Sequence, residues 1–368
     1  MSGVLRRTAA GGTNCDLGDW SGPRYAQRMV RFTVLASGSK GNSTVITGGK
    51  TRVLVDAGLS GKELFCRMEQ AGEKPETLDA IIISHEHTDH VNGVSVTARR
   101  LGIPVYFTEG THRAWTRIIT PRKRMTYSQW LEQCKQQAAD RLARAQAEGV
   151  PDAVELFSEP ISEGMVTAVD QEAFAPEPGC PEAAAPAQAE TKEASPEDDP
   201  AWLPKVEFFK PGERFKIGDI SVSPFTIPHD AADPTGFVFE AEGVRMAVAT
   251  DLGYIPPNVK AQLAGVDVLQ LESNHDLEML RDGPYPWQVK QRVLSRVGHL
   301  SNDATAEYLE KDYDGNATWI ILAHLSESNN LPELARVAAE RALRGRGSLL
   351  ANRLLLACQN EPLSSICF

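Results

Sequence analysis

Cysteine is scarce and scattered along this chain. Its six cysteines (Cys15, Cys66, Cys134, Cys180, Cys358, Cys367) contain no C-x-x-C pair, which speaks against a thiolate zinc site and a disulfide framework. No stretch approaches the roughly 18 consecutive apolar residues of a membrane-spanning helix. The N-terminus lacks the apolar segment of a secretion signal. Positive charge is in deficit: 38 Lys and Arg against 49 Asp and Glu give a net charge of -11, which argues against coating nucleic acid by bulk electrostatics but leaves room for a local basic patch. A cytoplasmic globular protein with no membrane partner is expected, and an apolar content of 42% over 368 residues supports a substantial core.

What is present is concentrated. Three of the eight histidines fall in Ser84-His85-Glu86-His87-Thr88-Asp89-His90. The preceding run Leu78 to Ile83, rich in β-branched residues without polar alternation, reads as a buried parallel strand. A strand ending in His-x-His-x-Asp-His delivers three imidazoles and a carboxylate to one sheet edge. These donors suit zinc, manganese or iron, and they exceed what one structural ion takes from one segment. Two metals are the natural reading.

In chain order, residues 1 to 28 show neither helical nor strand period and read as a disordered extension, with Met29 a candidate natural start of translation. A strand from Val30 to Leu35 enters the small-residue loop Ala36 to Ser43, which either brings backbone close to a ligand or is an ordinary turn. Ser37, Ser39 and Asn42 are its candidate substrate contacts. A hairpin around Gly48-Gly49 ends at Asp56, placed either to orient a metal ligand from behind or to cap a helix. Helices are predicted over Gly61 to Ala71 and Val91 to Leu101, followed by a strand through Phe107. From 115 to 204 the rhythm lapses into an insertion. It holds a basic run (Arg117, Arg122, Lys123, Arg124), a charged helix near Ser128 to Glu148 and an acidic Ala/Pro-rich linker that reads as disordered. The basic run either contacts phosphates or is simply solvated.

Regularity resumes at Val206 with strands that alternate like antiparallel neighbours. Successive apolar strands end in Pro228-His229-Asp230, Thr250-Asp251, Glu272-Ser273-Asn274-His275-Asp276 and Ala323-His324. His299 stands just before a helix from Ser301 to Lys311, with Ser301 or Asn302 as its cap. A helix over Leu331 to Leu343 and a strand over Leu354 to Ala357 follow, and His112 reads as an ordinary surface residue.

The order His85-x-His87-x-Asp89-His90, His229, Asp251, His324 resembles the ligand motifs of the metallo-β-lactamase superfamily. Leu35-Ala36-Ser37-Gly38-Ser39, Pro228-His229-Asp230-Ala231-Ala232, Leu271 to Asp276, Tyr285-Pro286-Trp287, Gly298-His299-Leu300-Ser301-Asn302 and Leu322 to Ser326 resemble its YycJ/WalJ-like exonuclease family. The resemblance covers Met29 to about Trp115 and Val206 onward; the 115 to 204 segment and residues 1 to 28 depart from it.

The resemblance implies an α/β fold, a four-layer αββα sandwich over residues 29 to 368, with two divalent ions, Zn2+ or Mn2+. One ion would sit on His85, His87 and His229, the other on Asp89, His90 and His324, with Asp251 bridging. It implies a phosphodiesterase, a 5′-to-3′ DNA exonuclease that uses a metal-bridging hydroxide as nucleophile, with nucleic acid, expected to be DNA, as substrate. Asp89 and His299 are the expected catalytic residues, His299 as general acid or transition-state stabiliser unless its hydrogen bond is purely structural. Asn274 and His275 are expected in the pocket wall. An RNA-processing nuclease of the same superfamily is the second reading, and a thioester or lactam hydrolase the third.

Overall fold

The computed structural model describes residues 30–120, 131–132, 134–140, 199–344 and 352–368. The chain divides into two compact units, Met1–Trp115 with Leu203–Phe368, and Thr116–Trp202. In the second unit, residues 131–132 and 134–140 are helical, so that part of the expected charged helix forms. The expected N-terminal extension, Arg122 to Arg124 and most of the acidic linker lie outside the described residues, while Arg117 is exposed on a helix.

The first unit is built from two seven-stranded sheets. One runs in the order β14-β1-β2-β3-β4-β5-β6, with β1 Val30–Ala36, β2 Ser43–Gly48, β3 Thr51–Val55, β4 Ala80–Ile82, β5 Pro104–Phe107, β6 Lys205–Phe208 and β14 Ile366–Cys367. The other runs β13-β12-β11-β10-β9-β8-β7, with β7 Phe215–Ile217, β8 Ile220–Thr226, β9 Thr235–Ala241, β10 Val244–Ala249, β11 Val268–Glu272, β12 Trp319–Ala323 and β13 Arg353–Leu356. Each sheet has antiparallel hairpins on one side and three parallel pairings on the other. Lys205–Phe208 departs from the sequence expectation: it pairs in parallel with β5, so the antiparallel run begins only at β7. Alternation alone does not name a strand's partner.

The sheets pack face to face. Val34, Ile46, Val55 and Ile82 from one meet Val222, Phe237, Phe239, Met246 and Ile321 from the other in a single buried cluster. Because side chains alternate across a strand, the opposite face of the second sheet presents Ala247, Ala249, Leu269, Leu271, Ile320 and Leu322 to the helices α5 Pro257–Leu263, α8 Asn302–Lys311 and α9 Pro332–Arg344. On the first sheet, α1 Gly61–Gln70 and α3 Val94–Leu101 bury Leu64, Met68, Val94 and Ala98. The layers are α, β, β, α.

Helix termini follow local chemistry. The Ser60 side chain accepts from Glu63 N at the start of α1, and Ser301 Oγ accepts from Ala304 N at the start of α8. The helix predicted over Val91 to Leu101 starts only at Val94, as α3, and a separate turn, α2 Thr88–Val91, precedes it, because Gly93 N bonds Ala57 O at 2.7 Å and a Cβ there would meet Leu59 O at 2.2 Å. The sequence reading also passed over α4 Glu109–Ile119, α5, α6 Leu277–Asp282 and α7 Trp287–Val293. His112 is no simple surface residue: its ring packs 5.3 Å from Phe107 and 5.4 Å from Phe208, and burial lowers its pKa. No helix among the described residues is long and apolar enough to cross a membrane.

Three loops cross at Gly58. Gly58 N donates to Asn42 O at 3.0 Å, Asn42 N to Asp89 O at 2.7 Å, and a Cβ on Gly58 would lie 1.7 Å from Asp89 O. Gly58→Ala must push the backbone of the His85–His90 loop away. We expect it to destabilise the protein by about 3 kcal/mol, the upper end for overpacking, read as a lowered thermal midpoint; an unchanged midpoint would mean the crossing yields freely.

Candidate active site

The histidines and aspartates arrive where strands of both sheets end. β3 runs into Asp56, β4 into Ser84–His90, β8 into His229, β10 into Asp251, β11 ends at Glu272 and β12 runs into His324. Parallel register holds the last three level, with Ala249 opposite Leu271 and Leu271 opposite Leu322. The chain turns sharply at these ends. Asp56, Asp251 and His324 have φ of 58°, 62° and 55°. That left-handed conformation is uncommon for residues with a Cβ, and the surrounding fold must enforce it.

The seven residues expected as ligands come together. One atom each from His85, His87 and His229 lie within 4.8 Å of one another, as do atoms of Asp89, His90 and His324. Asp251 faces both groups: it clusters with His85 and His90, its Oδ2 is 3.3 Å from His90 Nε2, and its Oδ1 is 3.2 Å from His324 Nδ1. His85 Nε2, His324 Nε2 and Asp251 Oδ2 are buried without a hydrogen-bond partner among the described residues. Such orphaned atoms are costly unless something satisfies them. Imidazole nitrogens and carboxylate oxygens converging on one point are the donors divalent cations take, so the residues present fit the metal ions implied by the sequence.

Buried acceptors and a hydroxyl orient the imidazoles from behind. Asp56 Oδ2 lies 2.8 Å from His90 Nδ1 and accepts from Ser84 Oγ at 2.9 Å, while Ser84 Oγ lies 3.0 Å from His85 Nδ1. His229 Nδ1 lies 3.2 Å from Gly298 O. The hub is Glu272, which the sequence reading did not single out. Its Oε1 is 2.8 Å from both His324 Nδ1 and His299 Nδ1, and its Oε2 accepts from Leu252 N at 2.9 Å and Leu300 N at 3.1 Å. The available signal was an acidic residue ending an otherwise apolar strand.

The other expected residues divide. Ser37 and Asn42 are buried: Ser37 Oγ accepts from His324 N at 2.8 Å, and Asn42 Nδ2 lies 3.2 Å from Asp89 Oδ2 and 3.1 Å from His90 Nε2. Both sit against the histidine cluster, whereas Ser39 is exposed. Asn274 braces the cluster through Nδ2 to His324 O at 2.8 Å. His275 is buried at 1% exposure, so its ring forms no open wall. His299 is brought in, with its ring centre 5.2 Å from His229 and 5.1 Å from His324.

Electrostatics separate the imidazoles. Burial, reinforced by neighbouring His90, lowers the pKa of His85 well below the usual value. Burial is the largest influence and would lower His90 and His324 too, but the surrounding acids together outweigh it, Asp251 with Asp56 and Asp89 at His90 and Asp251 with Asp89 and Glu272 at His324, so both are raised well above the usual value. A cation binding there must release those protons. Burial opposes ionisation of Asp251, but His324 and His90 hold its pKa well below the usual carboxylate value.

Residues 36–289 match the Metallo-beta-lactamase superfamily. The chain is a metal-dependent hydrolase of that superfamily. Exodeoxyribonuclease WalJ of Streptococcus pneumoniae serotype 2 (strain D39 / NCTC 7466) is 31% identical over 307 residues, 83% of this chain and 86% of that protein. Exodeoxyribonuclease YycJ of Bacillus anthracis is 30% identical over 318 residues, covering 86% and 90%. Within the superfamily the chain belongs to this WalJ/YycJ-like exonuclease family. Among solved structures, the metallo-beta-lactamase fold protein YhfI from Bacillus subtilis superposes with a TM-score of 0.52 at 12% identity, over 91% of this chain and 99% of that one. At that identity the likeness is one of fold.

Glu272 supplies a pH test. Burial raises a carboxyl pKa, but the neighbouring His299 and the hydrogen bonds from His299 and His324 bring it from 4.5 down to about 2. A depressed carboxylate stabilises the fold above its unfolded pKa and loses that contribution as pH falls through the folded one. In chelator, the metal-free chain should lose stability between about pH 4.5 and 2, and Glu272→Gln should flatten that part of the curve. Identical curves in chemical denaturation would contradict the role given to Glu272.

Proposed function

We propose that this chain is a dinuclear metal-dependent phosphodiesterase that digests DNA from its 5′ end. The observation carrying this reading is the pair of three-residue donor clusters, His85, His87, His229 and Asp89, His90, His324, with Asp251 against both. The exodeoxyribonuclease names of relatives about 30% identical over most of their length support DNA as substrate and attack from an end. The 5′-to-3′ polarity is carried over from the family resemblance. Two divalent ions, Zn2+ or Mn2+, would supply water activation, phosphoryl polarisation and a clamp on the attacking and leaving oxygens.

The chain's own residues do the rest. Asp56 and Glu272 accept at Nδ1 of His90 and His324, which leaves each Nε2 free to face a cation. Asp89 and Asp251 bring negative charge that offsets two dications in part, so the site stays attractive to an anionic phosphodiester within an acidic protein. His299 is the proton donor. Its Nδ1 is held by Glu272, its side chain is 22% exposed, and although burial lowers its pKa the charge and hydrogen bond of Glu272, together with Asp251, raise it on balance, keeping a proton to hand on to the leaving alkoxide.

End-labelled single- and double-stranded DNA and RNA, incubated with Mn2+- or Zn2+-loaded protein, test this. The expected product is mononucleotide released from the 5′ end of DNA, with Asp89→Ala inactive. His299→Gln should lower kcat by about 100-fold or more with metal content unchanged. Cleavage of RNA alone would overturn the substrate, and full activity of Asp89→Ala would overturn the ligand set.

A further inference from the structure

Gly283 to Asn302 form a twenty-residue stretch without a single Asp or Glu, in a chain where 49 of 368 residues are acidic. It carries Lys290, Arg292 and Arg296, and it contains Tyr285-Pro286-Trp287, none of which is among the clustered metal-donor residues. The structure joins this stretch to the site by its far end. His299 N donates to Val293 O at 3.0 Å, Asp230 N donates to Val297 O at 3.0 Å, and Gly298 O meets His229 Nδ1 at 3.2 Å. α7 Trp287–Val293 therefore starts roughly 9 Å, six helical steps, from the turn that holds His299.

The side chains on this segment differ in what they are free to do. Lys290 is buried and donates to Arg281 O, and Arg292 is paired with Asp230. Arg296 forms no ion pair among the described residues; its guanidinium lies over the Tyr254 ring, 4.3 Å from the centre. Trp287 is 63% exposed, with Val289, Leu294 and Val297 also exposed at 39%, 50% and 43%. A large indole left in water, on a segment that carries an unpaired Arg296 and no acidic side chain of its own, is well matched to one ligand, because single-stranded nucleic acid combines aromatic faces with a phosphate at every step.

We propose that residues 285–299 are the surface that holds single-stranded DNA leading into the site, with Trp287 as a stacking platform for a base and Arg296, oriented by Tyr254, as a phosphate contact. Resting on the nuclease reading above, it assigns the segment a substrate form: an unpaired strand, whose bases are open to stacking, where a duplex keeps its bases stacked on one another.

The test is binding of fluorescein-labelled, cleavage-resistant phosphorothioate oligothymidine to the metal-loaded full chain, read by anisotropy. Trp287→Ala should weaken binding by about 5- to 150-fold, the range that loss of one base-aromatic stack gives, and Trp287→Phe should restore most of it. Arg296→Gln should flatten the slope of log affinity against log salt by about 0.7, one phosphate on a single strand. Thermal midpoints of all three should match the parent, since both side chains are exposed. Equal affinity of parent and Trp287→Ala overturns the surface, as does a Trp287→Ala effect confined to self-association in sedimentation. An unchanged salt slope removes Arg296 from it. Should the chain bind the oligonucleotide through Trp287 yet leave unmodified DNA intact, the nuclease reading fails and the surface stands.

Discussion

The arrangement turns on a buried carboxylate that four groups share. Glu272, fully buried at the end of β11, lies within hydrogen-bond distance of the Nδ1 atoms of His299 and His324 and accepts from the amides of Leu252 and Leu300. These partners stand on the loops after β10, before α8 and after β12, so one side chain ties three segments that the backbone ladder leaves open at the sheet edge. An ionised carboxylate in such a place is tolerable only if its oxygens are satisfied. Here the satisfaction and the aiming of the imidazoles are the same set of bonds.

Asp56 repeats the device on the first sheet, beneath His90 and Ser84. Two mixed sheets of like plan thus each bring an acid to hold a histidine, and the two histidines face each other across Asp251. The strain accepted at Asp56, Asp251 and His324, all with positive φ, is what directs the side chains toward a common point. A site made this way is anchored at strand ends, while His299 lies on the turn between α7 and α8.

Much of this was legible in the sequence, and for a physical reason. A donor pattern as dense as His85 to His90 has few uses other than metal binding, and apolar runs that stop at His229, Asp251 and His324 announce both the strands and the edge on which they end. Glu272 was visible as a strand terminus but not as a hub, because its role lies in bonds to residues 27 and 52 positions away. The placement of β6 beside β5 escaped for a similar reason: pairing is a long-range choice, and Lys205–Phe208 returns to the first sheet across the whole 115 to 204 segment. The short helices Leu277–Asp282 and Trp287–Val293 are too brief for a period to show. His275, read as pocket wall from its motif, is enclosed because it bridges to Ser301 and its carbonyl takes the amide of Asn302.

The count of metal ions per chain tests the central claim most directly. Elemental analysis of protein purified and dialysed with Mn2+ or Zn2+ should give two ions for the parent, and one for His87→Ala, which removes a donor from only one of the two ligand sets. A parent holding a single ion, or a His87→Ala variant that still holds two, would contradict a dinuclear centre divided between His85, His87, His229 and Asp89, His90, His324.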